Sequence, residues 1–356
     1  MILLTALPVL AAVTAGIFHA RTRVHRMILE GLRAPRVPHD LTHELPDQSR
    51  LARPRIVVRA PIECWLPAVD GSRLFAWHLP APASATAPAV VLMHGWGANG
   101  AMLLPLARAL QGAGWHVLLP DARCHGRSDD ASFSSLPRFA EDIDAALAWL
   151  GTQPAVDRSR VVLIGHSVGA AAALLCASRR TDLSGVVSVS AFAHPAEVMR
   201  RWLAQRRIPF RPAGWYVLRH VQRVIGTSFD AIAPVNTIAG MACPVLLVHG
   251  VRDEIVPHGD AGRLAAAARP GVVEALSIDG AHDLGQALDQ HLPALLRFLD
   301  RCLQQPALRA AQTGHDRSMN PDTLPIRSVA GRGNEERYSQ PRIAPAPPRG
   351  ATPCNP

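Results

Sequence analysis

The chain has 356 residues, 48% of them hydrophobic, and a formal net charge of +9 at pH 7. This length suffices for one large core with extensions, but not for a repeat array. The basic residues are all arginines and are dispersed, without an interleaved aromatic platform, which argues against nucleic-acid binding. The six cysteines lie far apart and form no CxxC pair, so the sequence predicts no metal site and suits a reducing compartment.

The N terminus begins with an uncharged apolar stretch, residues 2–18, followed at once by Arg21, Arg23 and Arg26. Such a stretch is at the lower length limit for a membrane span. Because the arginines follow the stretch, the positive-inside rule predicts a retained anchor over residues 1–20 with the globular part in the cytoplasm. The alternative is a cleaved signal peptide, which would make the protein secreted or periplasmic.

Two flanking segments lack the apolar periodicity of a folded domain. Residues 21–55 are rich in Pro and Arg and are predicted to be a linker. Residues 304–356 contain Pro, Gly, Arg and Ser with few apolar residues, so they cannot bury enough surface to offset the entropy of ordering and are predicted to be a disordered tail. The predicted domain is therefore residues 56–303.

Within this domain, strand-like and helix-like stretches alternate. Eight strands are predicted, at IECWL, RLFAWHL, AVVLMH, HVLLP, RVVLIG, GVVSVS, PVLLVHG and VVEALSI. Helical spacing of apolar residues separates them, as at Leu103, Leu106 and Leu110. The alternation predicts an α/β fold with a mostly parallel sheet of about eight strands and helices on both faces.

A serine stands at the end of one buried strand, in the sequence VVLIGHSVGAA at residues 161–171. Such a serine is often only a helix N-cap. Here Gly165, His166 and Gly169 surround Ser167 in a strand–turn–helix context, which is the pattern of a nucleophile held on a strained turn. The sequence therefore predicts that Ser167 is a nucleophile.

A serine hydroxyl needs a base to accept its proton, and that base needs an orienting acid. Asp253 follows the strand PVLLVHG, and His282 follows the next strand. Both stand where the carboxyl ends of parallel strands converge, so we expect them to meet Ser167. Glu254 remains an alternative for the acid, and Asp279 or Asp283 could pair with a nearby arginine.

The oxyanion of such a reaction needs N–H donors. The strand AVVLMH ends in the glycine-rich turn HGWG, residues 94–97, whose backbone can face the site. The candidate donors are the backbone N–H groups of Trp96 and Val168. An ordinary loop is the alternative for this turn when it is taken alone.

From about residue 60 to residue 303 the chain resembles the α/β-hydrolase family. The resemblance rests on four motifs in order: HGWGAN, DARCHGRSD, GHSVG, and the RDEIVP and GAHD loops that carry Asp253 and His282. The chain is similar in particular to bacterial esterases, lysophospholipase-like enzymes and serine aminopeptidases. Cys124 departs from the family pattern, which usually has glycine at that position.

The resemblance implies a serine hydrolase that cleaves a carboxylic ester, acyl or lysophospholipid-like, through an acyl-enzyme intermediate, without cofactor or metal. A serine aminopeptidase or amidase and an acyl thioesterase are alternatives on the same triad, and a non-catalytic binding module is an alternative of another class. The expected partners are a small acyl ester or lipid-like substrate and, through residues 1–20, the bacterial inner membrane, with no nucleic acid.

The family also inserts a cap at the position of residues 192–235. Two short amphipathic helices fit this segment, one of them with Val198, Met199, Trp202 and Leu203 on its apolar stripe. Their other faces carry arginines against the single acid Glu197. This basic face is either solvated or a surface that meets anionic headgroups.

Overall fold

The computed structural model describes residues 2–39, 60–82, 86–283 and 285–304. Its strands are β1 Ile62–Pro67, β2 Arg73–Leu79, β3 Ala87–Met93, β4 His116–Pro120, β5 Val156–His166, β6 Gly185–Val189, β7 Val245–Gly250 and β8 Val273–Ile278. Its helices are α1 Ile2–Gly31, α2 Leu104–Gly112, α3 Leu136–Leu150, α4 Val168–Ala177, α5 Pro195–Gln205, α6 Trp215–Ile225, α7 Phe229–Ile232, α8 Pro234–Thr237, α9 Gly259–Ala267 and α10 Gly285–Gln304.

The strands form one sheet in the order β1-β2-β4-β3-β5-β6-β7-β8. Strands β1, β2 and β4 pair antiparallel, and all other neighbours pair parallel. The predicted mostly parallel sheet of about eight strands is confirmed. Strands β3 and β5 are neighbours, but the chain leaves β3 towards β4 and leaves β5 towards β6. A crevice at the carboxyl ends of two such strands is where open α/β sheets bind ligands.

The hydrophobic core lies on both faces of this sheet. Alternate residues of β3 point to opposite faces, so that Val91 and Met93 pack with helices α3 and α4, whereas Val90 and Leu92 pack with α2 and α10. Helix α4 is buried along its whole length. Its run of small residues, Ala170–Ala173, lets the helix lie close to the strands that carry the site.

The segment predicted as a cap, residues 192–235, contains α5, α6 and α7. Leu203 and Leu218 are buried on the inner faces of α5 and α6, whereas Trp202, on the stripe assigned to α5, is exposed. On the outer faces, Arg206 stacks on the ring of Trp202 with its guanidinium carbon 3.7 Å from the ring centre. The acid of α5, Glu197, is paired with Arg263 of α9.

The prediction of a membrane anchor over residues 1–20 is wrong: within the described ranges, no helix is long and apolar enough to cross a bilayer. The uncharged stretch does not form a helix of its own, because α1 continues through the three arginines to Gly31. Its later part packs on the domain, with Ile28 buried in the core. The inner-membrane localisation rested on that anchor and is wrong with it, and the predicted orientation of the globular part loses its basis.

The predicted linker also differs from the structure. Residues 21–31 are the last third of α1, and they are helical because their apolar side chains find a partner surface on the domain. The rest of the predicted linker from residue 40 onward lies outside the described residues. The predicted disordered tail lies outside them as well, beyond the end of α10 at Gln304.

Candidate active site

The turn between β5 and α4 holds Ser167 in a strained backbone conformation, with φ 56° and ψ −118°. A non-glycine residue with positive φ is uncommon and marks functional turns. The flanking glycines make this turn possible: a Cβ at Gly165 would lie 2.3 Å from the carbonyl oxygen of Gly169, and a Cβ at Gly169 would lie 2.3 Å from that of His94. No side chain fits at either position.

The structure brings Ser167, His282 and Asp253 into one hydrogen-bonded chain. His282 Nε2 lies 3.0 Å from Ser167 Oγ, and His282 Nδ1 lies 2.8 Å from Asp253 Oδ2. These are hydrogen-bond distances, and the order of contacts is that of a nucleophile, a base and an orienting acid. The three residues follow β5, β8 and β7 respectively, so the sheet positions all of them at its carboxyl edge.

The carboxylate of Asp253 is fixed from its other side. Its Oδ1 accepts hydrogen bonds from the backbone N–H groups of Ile255 at 2.9 Å and Val256 at 2.8 Å. The side chain is fully buried, and buried His249 lies 3.4 Å from Oδ2. The alternative acid Glu254 is exposed. The described contacts therefore join His282 to Asp253.

The HGWG turn lies directly against the serine turn. A Cβ at Gly95 would lie 3.1 Å from His166 Nδ1 and 3.3 Å from Ser167 Cβ. Val168 is the first residue of α4, where N–H groups have no acceptor within the helix. The geometry thus places the turn that carries Trp96 beside the nucleophile candidate and beside Val168.

Buried His94 gives this turn its shape. Its Nε2 accepts a hydrogen bond from the N–H of Ala122 at 2.9 Å, so Nδ1 carries the proton and donates to the carbonyl oxygen of Gly95 at 2.7 Å. The first residue of the turn is therefore locked to the loop after β4. The indole of Trp96 packs on His125 of the same loop, with ring centres 5.5 Å apart.

Two further residues hold His282, and the sequence pattern did not assign this role to either. His166 Nε2 donates to the carbonyl oxygen of His282 at 2.9 Å, and Ser190 Oγ donates to the same oxygen at 3.3 Å. Burial lowers the pKa of the His166 imidazole, so this donor is neutral at pH 7. Ser190, like Ser167, has positive φ at 55°. A serine directly after strand β6 is the one sequence signal that could have indicated this second donor.

Cys124, which stands where the family pattern usually has glycine, has a backbone conformation typical of glycine. Cys124 has φ 65°, the left-handed region that glycine adopts most readily. Its neighbour Arg123 is almost fully buried and pairs with Asp142 of α3 at 2.7 Å and with Asp70 at 2.7 Å. This loop after β4 is therefore anchored by a buried cation, and Cys124 takes the backbone conformation of the glycine that it replaces.

The chain is similar to several known proteins. A sequence model of the family described as serine aminopeptidase, S33, matches residues 84–228. An uncharacterized protein of Mycobacterium tuberculosis is 34% identical over 202 residues, which are 56% of this chain and 64% of that protein. The mouse protein named sn-1-specific diacylglycerol lipase ABHD11 is 37% identical over 100 residues, 28% of this chain and 31% of the lipase. The chain thus spans less than two thirds of the length of these relatives.

Among solved structures, the esterase Pf2001 of Pyrococcus furiosus superposes with a TM-score of 0.58 at 18% identity, over 76% of this chain and 97% of the esterase. At this identity the match concerns the fold alone. The order of the strands in the sheet, the position of the site at the strand ends and the strained turn at the serine are together those of the α/β-hydrolase fold. The chain thus has the α/β-hydrolase fold, and its residues 84–228 are similar to the serine aminopeptidase, S33, family.

The glycine contacts yield a first prediction. Gly169→Ala would push a methyl group into the carbonyl oxygen of His94, so that α4 and the HGWG turn must separate. We expect hydrolysis of an activated ester to fall at least about 100-fold, since displacement of an oxyanion donor has effects of this size. The matched control is Gly262→Ala in α9, where a Cβ meets no atom within 4 Å. Equal activity of the two variants would contradict this interpretation of the turn.

Proposed function

We propose that this protein is a serine hydrolase that cleaves a carboxylic ester through an acyl-enzyme intermediate. The observation that carries the proposal is the chain of contacts from Ser167 Oγ through His282 to Asp253, at 3.0 Å and 2.8 Å. In this proposal Ser167 is the nucleophile, His282 is the general base and then the general acid, and Asp253 orients His282.

The proposed first half-reaction is acylation. His282 Nε2 accepts the proton of Ser167 Oγ as that oxygen forms a bond to the ester carbonyl carbon. The carbonyl oxygen becomes an oxyanion, which the backbone N–H groups of Trp96 and Val168 stabilise. Collapse of the tetrahedral intermediate breaks the bond to the alcohol oxygen, and His282 returns its proton to that leaving group.

The proposed second half-reaction is deacylation by water. His282 removes a proton from a water molecule, whose oxygen attacks the acyl carbon, and the same two N–H groups stabilise the second oxyanion. His282 then returns this proton to Ser167 Oγ as the bond between Oγ and the acyl carbon breaks, which releases the carboxylic acid and restores the serine. Asp253 keeps the ring orientation throughout, because its Oδ1 is held by two backbone N–H groups and only Oδ2 faces His282.

The names of similar proteins support an ester, rather than an amide, as the proposed substrate. The relative from mouse is named as a diacylglycerol lipase, and the superposed Pyrococcus protein is named as an esterase. The matching family is named for aminopeptidases, which act on amides. An ester is also the easier substrate for this chemistry, because its alcohol leaves without the full protonation that an amine requires.

The nucleophile can be tested directly. We expect a fluorophosphonate probe to label the protein once, at Ser167, and Ser167→Ala to lose both labelling and turnover, by roughly 10⁴-fold or more. Thermal unfolding should stay close to that of the parent. The control is Ser184→Ala, which removes a serine hydroxyl that donates to the carbonyl oxygen of Ser159 at the surface. Labelling that survives at another serine would refute the assignment.

The acid can be tested by comparing two neighbouring carboxylates. Asp253→Asn removes the charge that orients His282, and we expect kcat to fall by roughly 10³- to 10⁴-fold. Glu254→Gln alters an exposed side chain next to it and should leave kcat within about twofold. Steady-state kinetics on one activated ester measures both. A larger loss in the Glu254 variant would reassign the acid.

The substrate class needs a panel of matched substrates. With one acyl group presented as a p-nitrophenyl ester, a thioester and an anilide, we expect the ester to give the highest kcat/KM. An aminoacyl anilide is added to the panel to test for aminopeptidase activity. If the aminoacyl anilide exceeds every ester, the protein is an aminopeptidase, and if the thioester does, it is a thioesterase. Labelling of Ser167 without turnover of any substrate would contradict hydrolysis and favour a binding module.

A further inference from the structure

The segment directly after α1 crosses the rim of the candidate active site. We call residues 32–39 the strap. It lies outside the family match at residues 84–228. Its first residue, Leu32, accepts a hydrogen bond from the N–H of Ser134, and Arg33 donates to the carbonyl oxygen of Ser132.

The middle of the strap lies against the loop that begins with the HGWG turn. Asn99, which ends this loop, is buried and donates from Nδ2 to the carbonyl oxygens of Val37 at 2.8 Å and Pro38 at 3.2 Å. Pro35 is the nearest contact of Gly97, where a Cβ would lie 3.5 Å from the proline ring. Gly97 is the residue directly after Trp96.

The end of the strap is fixed through a buried carboxylate. His39 Nε2 lies 2.9 Å from Asp121 Oδ2, and Asp121 Oδ1 accepts the N–H of Gly100 at 2.8 Å. Burial raises the pKa of the Asp121 carboxyl, but the hydrogen bonds from His39 and from the backbone N–H groups of Gly100 and Arg127 bring it below its usual value. The charged carboxylate therefore joins the strap to the residue after Asn99.

These contacts matter because an oxyanion hole acts only if its donors are already in place. The HGWG loop is held at its start by His94, which belongs to the domain itself. Its far end is held at Asn99 by the strap and at Gly100 by Asp121, whose other carboxylate oxygen lies against His39 of the strap. A loop whose far end is held less firmly could displace the Trp96 N–H, and small displacements of catalytic groups cost large factors in rate.

We infer that the strap is a positioning element for the oxyanion hole, which sets the place of the Trp96 N–H through Asn99 and the His39–Asp121 pair. This inference rests on the proposed function. The strap lies outside the region that matches the family model. The inference gives it a role in the chemical step in addition to its packing on the domain.

Three variants in the full-length protein separate positioning from packing. Asn99→Ser keeps a side-chain oxygen that caps the turn at Gly100–Leu103 but cannot reach the strap. His39→Leu removes the bond to Asp121, whereas His39→Gln retains an N–H donor at the same reach. Arg33→Gln is the matched control, because it removes a hydrogen bond to Ser132 that involves neither Asn99 nor the His39–Asp121 pair.

The measurements are kcat and KM on a p-nitrophenyl ester, inhibition by a trifluoromethyl ketone, which forms a tetrahedral oxyanion adduct, and thermal unfolding. We expect Asn99→Ser and His39→Leu to lower kcat by about 10- to 100-fold with KM changed less than about threefold. Inhibition by the ketone should weaken by a similar factor. His39→Gln should recover most of the loss, and Arg33→Gln should stay within about twofold of the parent.

Two results would overturn the inference. One is unchanged kcat and unchanged ketone inhibition in Asn99→Ser and His39→Leu. The other is a loss of activity that tracks the unfolding temperature in every variant, Arg33→Gln included, since that is the behaviour of a packing role. The proposed function fails separately: if the parent hydrolyses no ester, the rate of fluorophosphonate labelling of Ser167 still reports on the oxyanion hole, and equal rates in all variants would refute the role of the strap.

Discussion

The close approach of α4 to the end of β3 is the constraint on which the rest of the structure depends. Two backbone contacts, between Gly165 and Gly169 and between Gly169 and His94, leave no room for a single methyl group. They bring the serine turn and the HGWG turn together. They also explain why α4 must be built of small residues, because only such a helix can lie this deep in the fold. The positive φ of Ser167 is stable only because both elements are fixed on either side of it.

Much of this arrangement could be predicted from the sequence, because it depends on local rules. Apolar runs of four to six residues separated by helical spacing define the strands of a parallel sheet. Strand ends converge in such a sheet, so candidates taken from three strand ends, Ser167, Asp253 and His282, could be expected to meet. The hydrogen-bond donors around the site were not predicted: the contacts of His166 and Ser190 with His282, and of Asn99 with the strap, depend on which loops face each other, and no residue spacing encodes that.

The N-terminal region shows where such reasoning fails. An uncharged stretch followed by arginines has the pattern of a membrane anchor, and hydropathy treats residues 2–18 separately from the residues after them. In the structure the helix continues past the arginines, and its later part buries Ile28 against the domain. His25 of α1 also lies 2.8 Å from His220 of α6 in the cap. Tertiary contacts of this kind have no local signature, so a charged segment that resembles a linker is instead part of the packed structure.

The parts of the site come from regions of the chain that are far apart. Ser167 and His282 are separated by 115 positions, and Asn99 and Val37 by 62. Contacts with such separations require the closure of long loops, which a folding chain completes late. Ser167 meets His282 only when β8 lies in place at the edge of the sheet, so the reactivity proposed for Ser167 would also report that this last strand has docked.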